Sequence, residues 1–440
     1  MTGLVESLPF LLLLVVVGGA TLFYTLIKPE IGFLLLALLA PVSNYLRIGS
    51  IKLVYVIGVC LLFGVLQRHI LKERRPLPGF AIAYGVVSLS CITYAWIIGG
   101  FSNSQVAVGL AGSVLIVCAV FVLFDATQIR RWLWLFALGM ATADIIVAVL
   151  AFAFPSTHSF IFKISSEGVR LRGTLGNPNM FGGAQILAFS IFAFYAVNCT
   201  GKIRIANILG VVVIFLALLA SQSRSAILGL LLGLGIVGFL KFRLSRRPVY
   251  TIATILSVGL AMILTFINLP EEIAGFQLSR IGNTDVVNVY DVGTEDLIRN
   301  RLHIYNAALN TISQNPLGIG YLPHDETLKV VARNSRVGVE KTPHNFAISY
   351  LLTYGVVGGI VMVLIWVMPA AIIFWRLWSK RIPIDSLASM MLVGLIGYYV
   401  HNIFHSATNW IYFWVFWAMC VRIAKLEEIG PILYRHRAKD

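Results

Sequence analysis

Arg224 has the surroundings that say most about chemistry. It stands between two apolar runs, 205–221 and 225–240, with Ser-Gln-Ser before it and Ser-Ala after it. A charge in such a place is costly unless it faces a cavity, a partner or the lipid headgroups. Anchor and ligand are equally open readings for it. Other polar residues fall at matching ends of apolar runs. They are Arg172, Asn177 and Asn179 around 155–179, Arg301 inside the long stretch 269–343, His344 and Asn345 at the start of the next apolar run, and His401 and His405 in a polar break near 401–409. The set is rich in arginine, histidine and asparagine and poor in carboxylates. Arginines make forked, charge-assisted hydrogen bonds to phosphate oxygens. A histidine with an unperturbed pKa near 6.5 is a usable base at neutral pH. Such a set suits transfer from a lipid-borne pyrophosphate to a hydroxyl, with arginines holding the leaving-group charge in place of a metal.

Each residue also has a plainer explanation. Residues 294–313 read as an amphipathic helix, with Leu297, Ile298, Leu302, Tyr305, Leu309 and Ile312 at helical spacing, so Arg301 fits a solvated helix face. His344 follows Lys-Thr-Pro and starts an apolar helix, where a histidine can be merely interfacial. His401 and His405 are four apart and share one helix face. The stretch between them has no glutamate, and no third ligand has obvious spacing, so a polar break lining a cavity fits better than zinc. Asp144, the only carboxylate well inside an apolar run, fits either a transporter's proton relay or a hydrogen-bonded tie between two helices. Five scattered cysteines make neither a disulfide framework nor a metal pattern. No P-loop, dinucleotide fingerprint, serine-hydrolase elbow or Asp-x-Asp pair is present. No nucleotide donor, cofactor or metal is therefore implied.

The elements that must position these residues are membrane helices. The chain has 440 residues, 58% hydrophobic and only 12% charged, against about 25% charged in ordinary soluble proteins. Continuous apolar runs, rather than alternating ones, argue for helices and against a β-barrel. The runs lie near 8–27, 31–46, 53–71, 79–99, 105–124, 132–154, 179–198, 205–221, 225–240, 249–268, 344–375, 386–400 and 410–424. They imply twelve or thirteen crossings. The first run has no basic residues before it and reads as a retained helix rather than a cleaved signal.

The net charge of +15 sits mostly in alternate short loops, at Arg68–Arg75, Arg130 and Arg131, Lys202 and Arg204, Lys241–Arg247, Arg376–Arg381 and the C-terminal tail. The positive-inside rule makes these loops cytoplasmic and argues against a nucleic-acid partner. The other loops, with all the candidate site residues, are then outside. The stretch 269–343 agrees, with nine acidic and seven basic residues against ten and 27 elsewhere. The expected architecture is all-α, a polytopic bundle of about twelve transmembrane helices. It divides into N-terminal helices over 1–268, a large outer loop with short helices over 269–343, and C-terminal helices with a short tail over 344–440.

At this level the chain resembles the O-antigen ligase and polymerase superfamily of bacterial membrane glycosyltransferases. His344-Asn345, nine residues, then Gly355-Val356-Val357-Gly358 fits the ligase pattern without a gap. Arg172-Gly173-Thr174 with Asn177-Pro178-Asn179, Ser223-Arg224-Ser225, and Arg301 followed by Asn315-Pro316-Leu317-Gly318-Ile319-Gly320 are similar to further family segments. The resemblance implies a membrane glycosyltransferase fold with a large periplasmic loop, in the bacterial inner membrane. It implies metal-independent, inverting transfer of a glycan from undecaprenyl pyrophosphate to lipid A-core. His344 would be the base or acceptor-positioning group, and Arg224 and Arg301 the pyrophosphate ligands. Arg172, Asn177 and Asn179 would support substrate, and Asn345, His401 and His405 join them as candidate binding residues. A repeat polymerase of the same superfamily is the nearest alternative, and a lipid-linked glycan transporter the alternative of another class.

Overall fold

The computed structural model describes residues 27–30, 32, 35–36, 47–48, 51–67, 79–123, 126–154, 157, 161–165, 168–175, 177–245, 249, 256, 294–333, 343–405 and 411–427. The apolar runs predicted at 8–27, 31–46 and 249–268 lie wholly or mostly outside these residues, as do 269–293 of the long loop and the basic tail. The remaining ten apolar runs each correspond to a helix. In chain order the helices are α1 (Leu53–Gln67), α2 (Gly79–Ile98), α3 (Ser104–Leu123), α4 (Ala126–Ala153), α5 (Pro178–Asn198), α6 (Gly201–Ala220) and α7 (Arg224–Ser245). They continue with α8 (Thr294–Gln314), α9 (His324–Arg333), α10 (Phe346–Trp378), α11 (Leu387–Ile403) and α12 (Ile411–Glu427). Two antiparallel hairpins and a 3₁₀ turn at Gly173–Leu175 are also present. One pairs β1 (Arg47–Ile48) with β2 (Ile51–Lys52), and the other pairs β3 (Phe162–Ser165) with β4 (Gly168–Leu171).

Among the described residues, six helices are long and apolar enough to cross a membrane, and four shorter helices are apolar as well. They are arranged as membrane helices should be, with apolar side chains outward as well as inward. On α6, Ile203, Leu209 and Leu216 are exposed, while Asn207 is buried and accepts a hydrogen bond from Trp134 Nε1 of α4 at 3.0 Å. Asp144 of α4 is buried too, and its Oδ1 accepts from Gln185 Nε2 of α5 at 3.2 Å. Of the two roles open for Asp144, the tie between helices has a partner in place.

The basic helix ends gather at one end of the bundle. Lys241 pairs with Asp385 at 2.8 Å, the Arg243 guanidinium lies 3.1 Å over the Trp378 ring, and Arg376 donates to the Ala424 carbonyl. Tyr195 donates to the Arg130 carbonyl at 3.0 Å at the same end. The start of α5, the turn between α6 and α7, the start of α10 and the end of α11 lie at the opposite end.

The amphipathic helix expected over 294–313 is α8. Its inner face buries Ala307, Ala308 and Ile312 against Val331 of α9 and Leu352 of α10. The segment after it does more than end the helix. Gly355 breaks α10 with φ +74° and ψ −178°. In an unbroken helix the carbonyls of Leu352 and Thr353 would accept from residues four further on. Here they accept instead from Ile319 N at 2.8 Å and Gly320 N at 3.1 Å, while Val356 N donates to the Pro316 carbonyl at 2.9 Å. Tyr94 OH and Tyr321 N fasten the same segment to α2, through the Leu317 carbonyl at 2.8 Å and the Ala95 carbonyl at 3.0 Å. Backbone lies on backbone at this buckle. A Cβ at Gly355 would be 2.5 Å from the Leu317 carbonyl carbon, and one at Gly318 would collide with Gly355 N. The glycines of both motifs therefore serve to clamp α8 onto α10.

Candidate functional site

The polar site end is built where α5, α7, α10 and α11 meet. α7 and α11 approach closely because small residues line the contact. Gly229 packs on the Gly397 carbonyl, and a Cβ at Gly233 would be 2.6 Å from the Val393 carbonyl oxygen. Small residues four apart allow such backbone approach between membrane helices. One turn further along the same faces stand Ser225 on α7 and His401 on α11. Ser225 Oγ and His401 Nδ1 are 2.9 Å apart. His401 is fully buried, against Gly183 of α5 and Tyr398 of its own helix. A Cβ at Gly183 would sit 2.7 Å from its ring, so the glycine makes room for it.

Arg224 is the first residue of α7 and is exposed. The turn before it is held from below and from the side. Ser221 and Ser223 are buried, with Gly182 of α5 leaving space for both, and Ser223 N donates to Ser221 Oγ at 3.2 Å. Arg170 of β4 then spans the turn. Its Nε donates to the Ser221 carbonyl at 3.1 Å, and its Nη2 to the Gln222 carbonyl at 3.3 Å and to Asn179 Oδ1 at 2.5 Å. Arg170 thus ties the hairpin, the start of α5 and the Arg224 turn into one unit. Nothing in its spacing in the sequence marks it as a brace.

His344 is exposed just before α10. Its ring centroid is 6.2 Å from that of His405, and the His405 centroid is 4.7 Å from that of His401. The three histidines therefore run in a row from the start of α10 to the Ser225 hydroxyl beside Arg224. No group of histidine, cysteine or acidic side chains among the described residues has metal-holding geometry.

The asparagines singled out in the sequence have bracing roles. Asn345 caps α10, accepting from Ala347 N at 2.9 Å and Ile348 N at 3.1 Å, and its Nδ2 donates to the Ile403 carbonyl at 3.1 Å. Asn177 caps α5, accepting from Asn179 N at 2.9 Å and Met180 N at 3.4 Å. Both are the capping chemistry expected of asparagine at a helix start. Asn179 orients Arg170, as above. Arg172 is half-buried, and its backbone N donates to the Ile161 carbonyl at 3.0 Å.

The backbone of Arg301 lies on α8, one turn before Tyr305, while its side chain and Asn409 lie outside the described residues. Tyr305 OH reaches the Ile403 carbonyl at 3.4 Å, so α8 comes to the same corner as Asn345. Tyr321, at the buckle, shares a 2.5 Å hydrogen bond with Tyr354, and burial raises its phenol above the ordinary value.

A family model described as O-antigen ligase (Wzy_C) matches residues 209–363, about a third of the chain. The matched stretch runs from within α6 to within α10. It takes in the Arg224 turn, Arg301, the buckle and His344, and leaves out the β3–β4 hairpin, His401 and His405. A comparison with curated proteins gives no match. With six helices among the described residues long and apolar enough to cross a membrane, the chain is a multi-pass membrane protein, and its residues 209–363 are similar to the O-antigen ligase family.

Proposed function

We propose that this protein transfers an O-antigen-type glycan from undecaprenyl pyrophosphate to lipid A-core, on the periplasmic face of the bacterial inner membrane. The observation that carries the reading is the convergence of Arg224, the histidine row and the corner of α8 at the end of the bundle away from the basic loops. By the positive-inside rule that end faces the periplasm.

In this reading the lipid carrier's pyrophosphate rests at the start of α7. Arg224 binds it, with the partial positive charge of the helix N-terminus behind it. Arg301 adds a second cation from α8. His344 takes the proton from an acceptor hydroxyl as its oxygen attacks the anomeric carbon from the face opposite the pyrophosphate. The bond between the sugar carbon and the pyrophosphate oxygen breaks, and the configuration inverts. Negative charge collects on the departing undecaprenyl pyrophosphate, where the arginines stabilise it. Arginines thereby take the role a divalent metal would otherwise play, so transfer needs no added metal.

The test is transfer by purified protein in detergent, with undecaprenyl-pyrophosphate glycan, lipid A-core and EDTA. The reading expects a lipopolysaccharide product that survives EDTA and is lost in His344→Ala. A product in which only the donor's own glycan lengthens would replace ligase by polymerase. Movement of donor across a vesicle membrane with no glycosidic bond formed would replace both by a transporter.

A further inference from the structure

We infer that the Ser225 hydroxyl is an additional donor to the pyrophosphate, and that His401 fixes it in that role. The inference rests on the reading of Arg224 as a pyrophosphate ligand.

It comes from the hydrogen-bond inventory of one buried ring. His401 Nδ1 has Ser225 Oγ at 2.9 Å, while His401 Nε2 is buried with no hydrogen-bond partner among the described residues. The space beside Nε2 is filled by Gly183, where an added Cβ would be only 2.9 Å from it. A neutral imidazole carries its proton on one nitrogen or the other. If Ser225 donated to Nδ1, the proton would sit on Nε2, leaving a buried N–H with no acceptor. An unsatisfied buried donor costs about 1–3 kcal/mol, and such orphans are rarer than under-used acceptors. The favoured arrangement therefore has Nδ1–H donating to Ser225 Oγ.

The consequence falls on the serine. Its oxygen is engaged as an acceptor, so its own proton must go elsewhere. Among the described residues, the other oxygen recorded near it is Ser223 Oγ, at 3.5 Å, the long limit of a hydrogen bond. Ser225 is half-buried and adjoins the exposed Arg224. With Ser225 next to Arg224 at the start of α7, that proton is left for an anion held by the guanidinium. His401 acts only through Ser225 and is a positioning residue, which accounts for a fully buried histidine in the wall of the site. The glycine contacts of α7 with α11 hold the two side chains in register.

The experiment measures binding of glycan-free undecaprenyl pyrophosphate to the full-length protein in detergent, with each variant's melting temperature recorded. Loss of one hydrogen bond to a charged group predicts binding at least about tenfold weaker for Ser225→Ala. Ser225→Gly serves the same purpose if the alanine variant fails to fold. His401→Phe removes the donor and keeps a ring, and should weaken binding comparably. His401→Asn, whose side-chain N–H can stand where Nδ1–H stood, should restore most of it. Combining Ser225→Ala with His401→Phe should cost no more than Ser225→Ala alone, because the histidine has nothing left to orient. Wild-type affinity in Ser225→Ala, while Arg224→Ala loses binding, would overturn the inference and leave the proposed function standing. No binding by the wild-type protein would overturn the proposed function and this inference with it.

Discussion

Replacing Gly355 by alanine tests how the site is assembled. Gly355 has φ +74° and ψ −178°, a region essentially reserved for glycine, where another residue costs about 1–3 kcal/mol. The new methyl would also lie 2.5 Å from the Leu317 carbonyl carbon and 2.6 Å from the Pro316 carbonyl oxygen. Both are backbone atoms, so the contact cannot be relieved by turning a side chain. Either the break persists under strain, or α10 closes into a continuous helix and expels residues 316–320. Expulsion forfeits the three backbone bonds of Pro316, Ile319 and Gly320 to α10, each worth roughly 1 kcal/mol net. The folded state therefore loses about 1–3 kcal/mol as strain if the break persists, or about 3 kcal/mol as lost bonds if it closes.

The assay is thermal unfolding in detergent with limited proteolysis across residues 314–334. Gly355→Ala should melt lower and be cut in that region much faster than the wild type. Its transfer activity should also fall, because α8 would no longer be fastened beside the start of α10. A variant with wild-type melting and an unchanged cleavage pattern would refute the buckle as the clamp on α8.

Other expectations follow from the same contacts. Asn345→Ala removes a helix cap and the bond to the Ile403 carbonyl, and should lower stability by about 1–3 kcal/mol in the same melting assay. Asn345→Asp keeps the cap and should recover part of that loss. Arg170→Ala frees the turn that carries Arg224, and a misplacement of about 1 Å can cost on the order of a hundredfold in rate. Its kcat/KM should fall well below that of Asn179→Ala, which removes only the bond from Arg170 Nη2 to Asn179. Gly233→Val forces α7 away from α11 and should destabilise by about 1–3 kcal/mol, as overpacking does.

The helices were legible because bilayer length and apolar composition constrain a segment so strongly. Ten apolar runs read from the chain became helices within a few residues, and the 3.6-residue spacing of Leu302, Tyr305, Leu309 and Ile312 located α8. Arg224 stood out for the same reason, as a charge between two apolar runs. What depends on long-range contact could not be read. The run 344–375 is apolar without interruption, so nothing local announces that Gly355 breaks it. The break is stabilised by backbone groups of residues 316–320. The hairpin of β3 and β4 and the ten-residue helix α9 are too short to stand out. His401 and His405 were visible as a pair sharing one face. The pattern could not tell that His401 is buried behind Ser225 while His344 is exposed. Asn177 and Asn345 sat at helix starts in the sequence, and the cap geometry explains them without substrate.

The most direct measurement is transfer of glycan to lipid A-core by the purified protein in EDTA, comparing wild type with Arg224→Ala and His344→Ala. Wild-type transfer should be robust and indifferent to EDTA. A lost general base predicts a fall of about 10²–10⁴-fold for His344→Ala. A lost stabiliser of the leaving pyrophosphate predicts about 10²–10³-fold for Arg224→Ala. Wild-type rates in both variants, with the proteins folded and monodisperse, would contradict it.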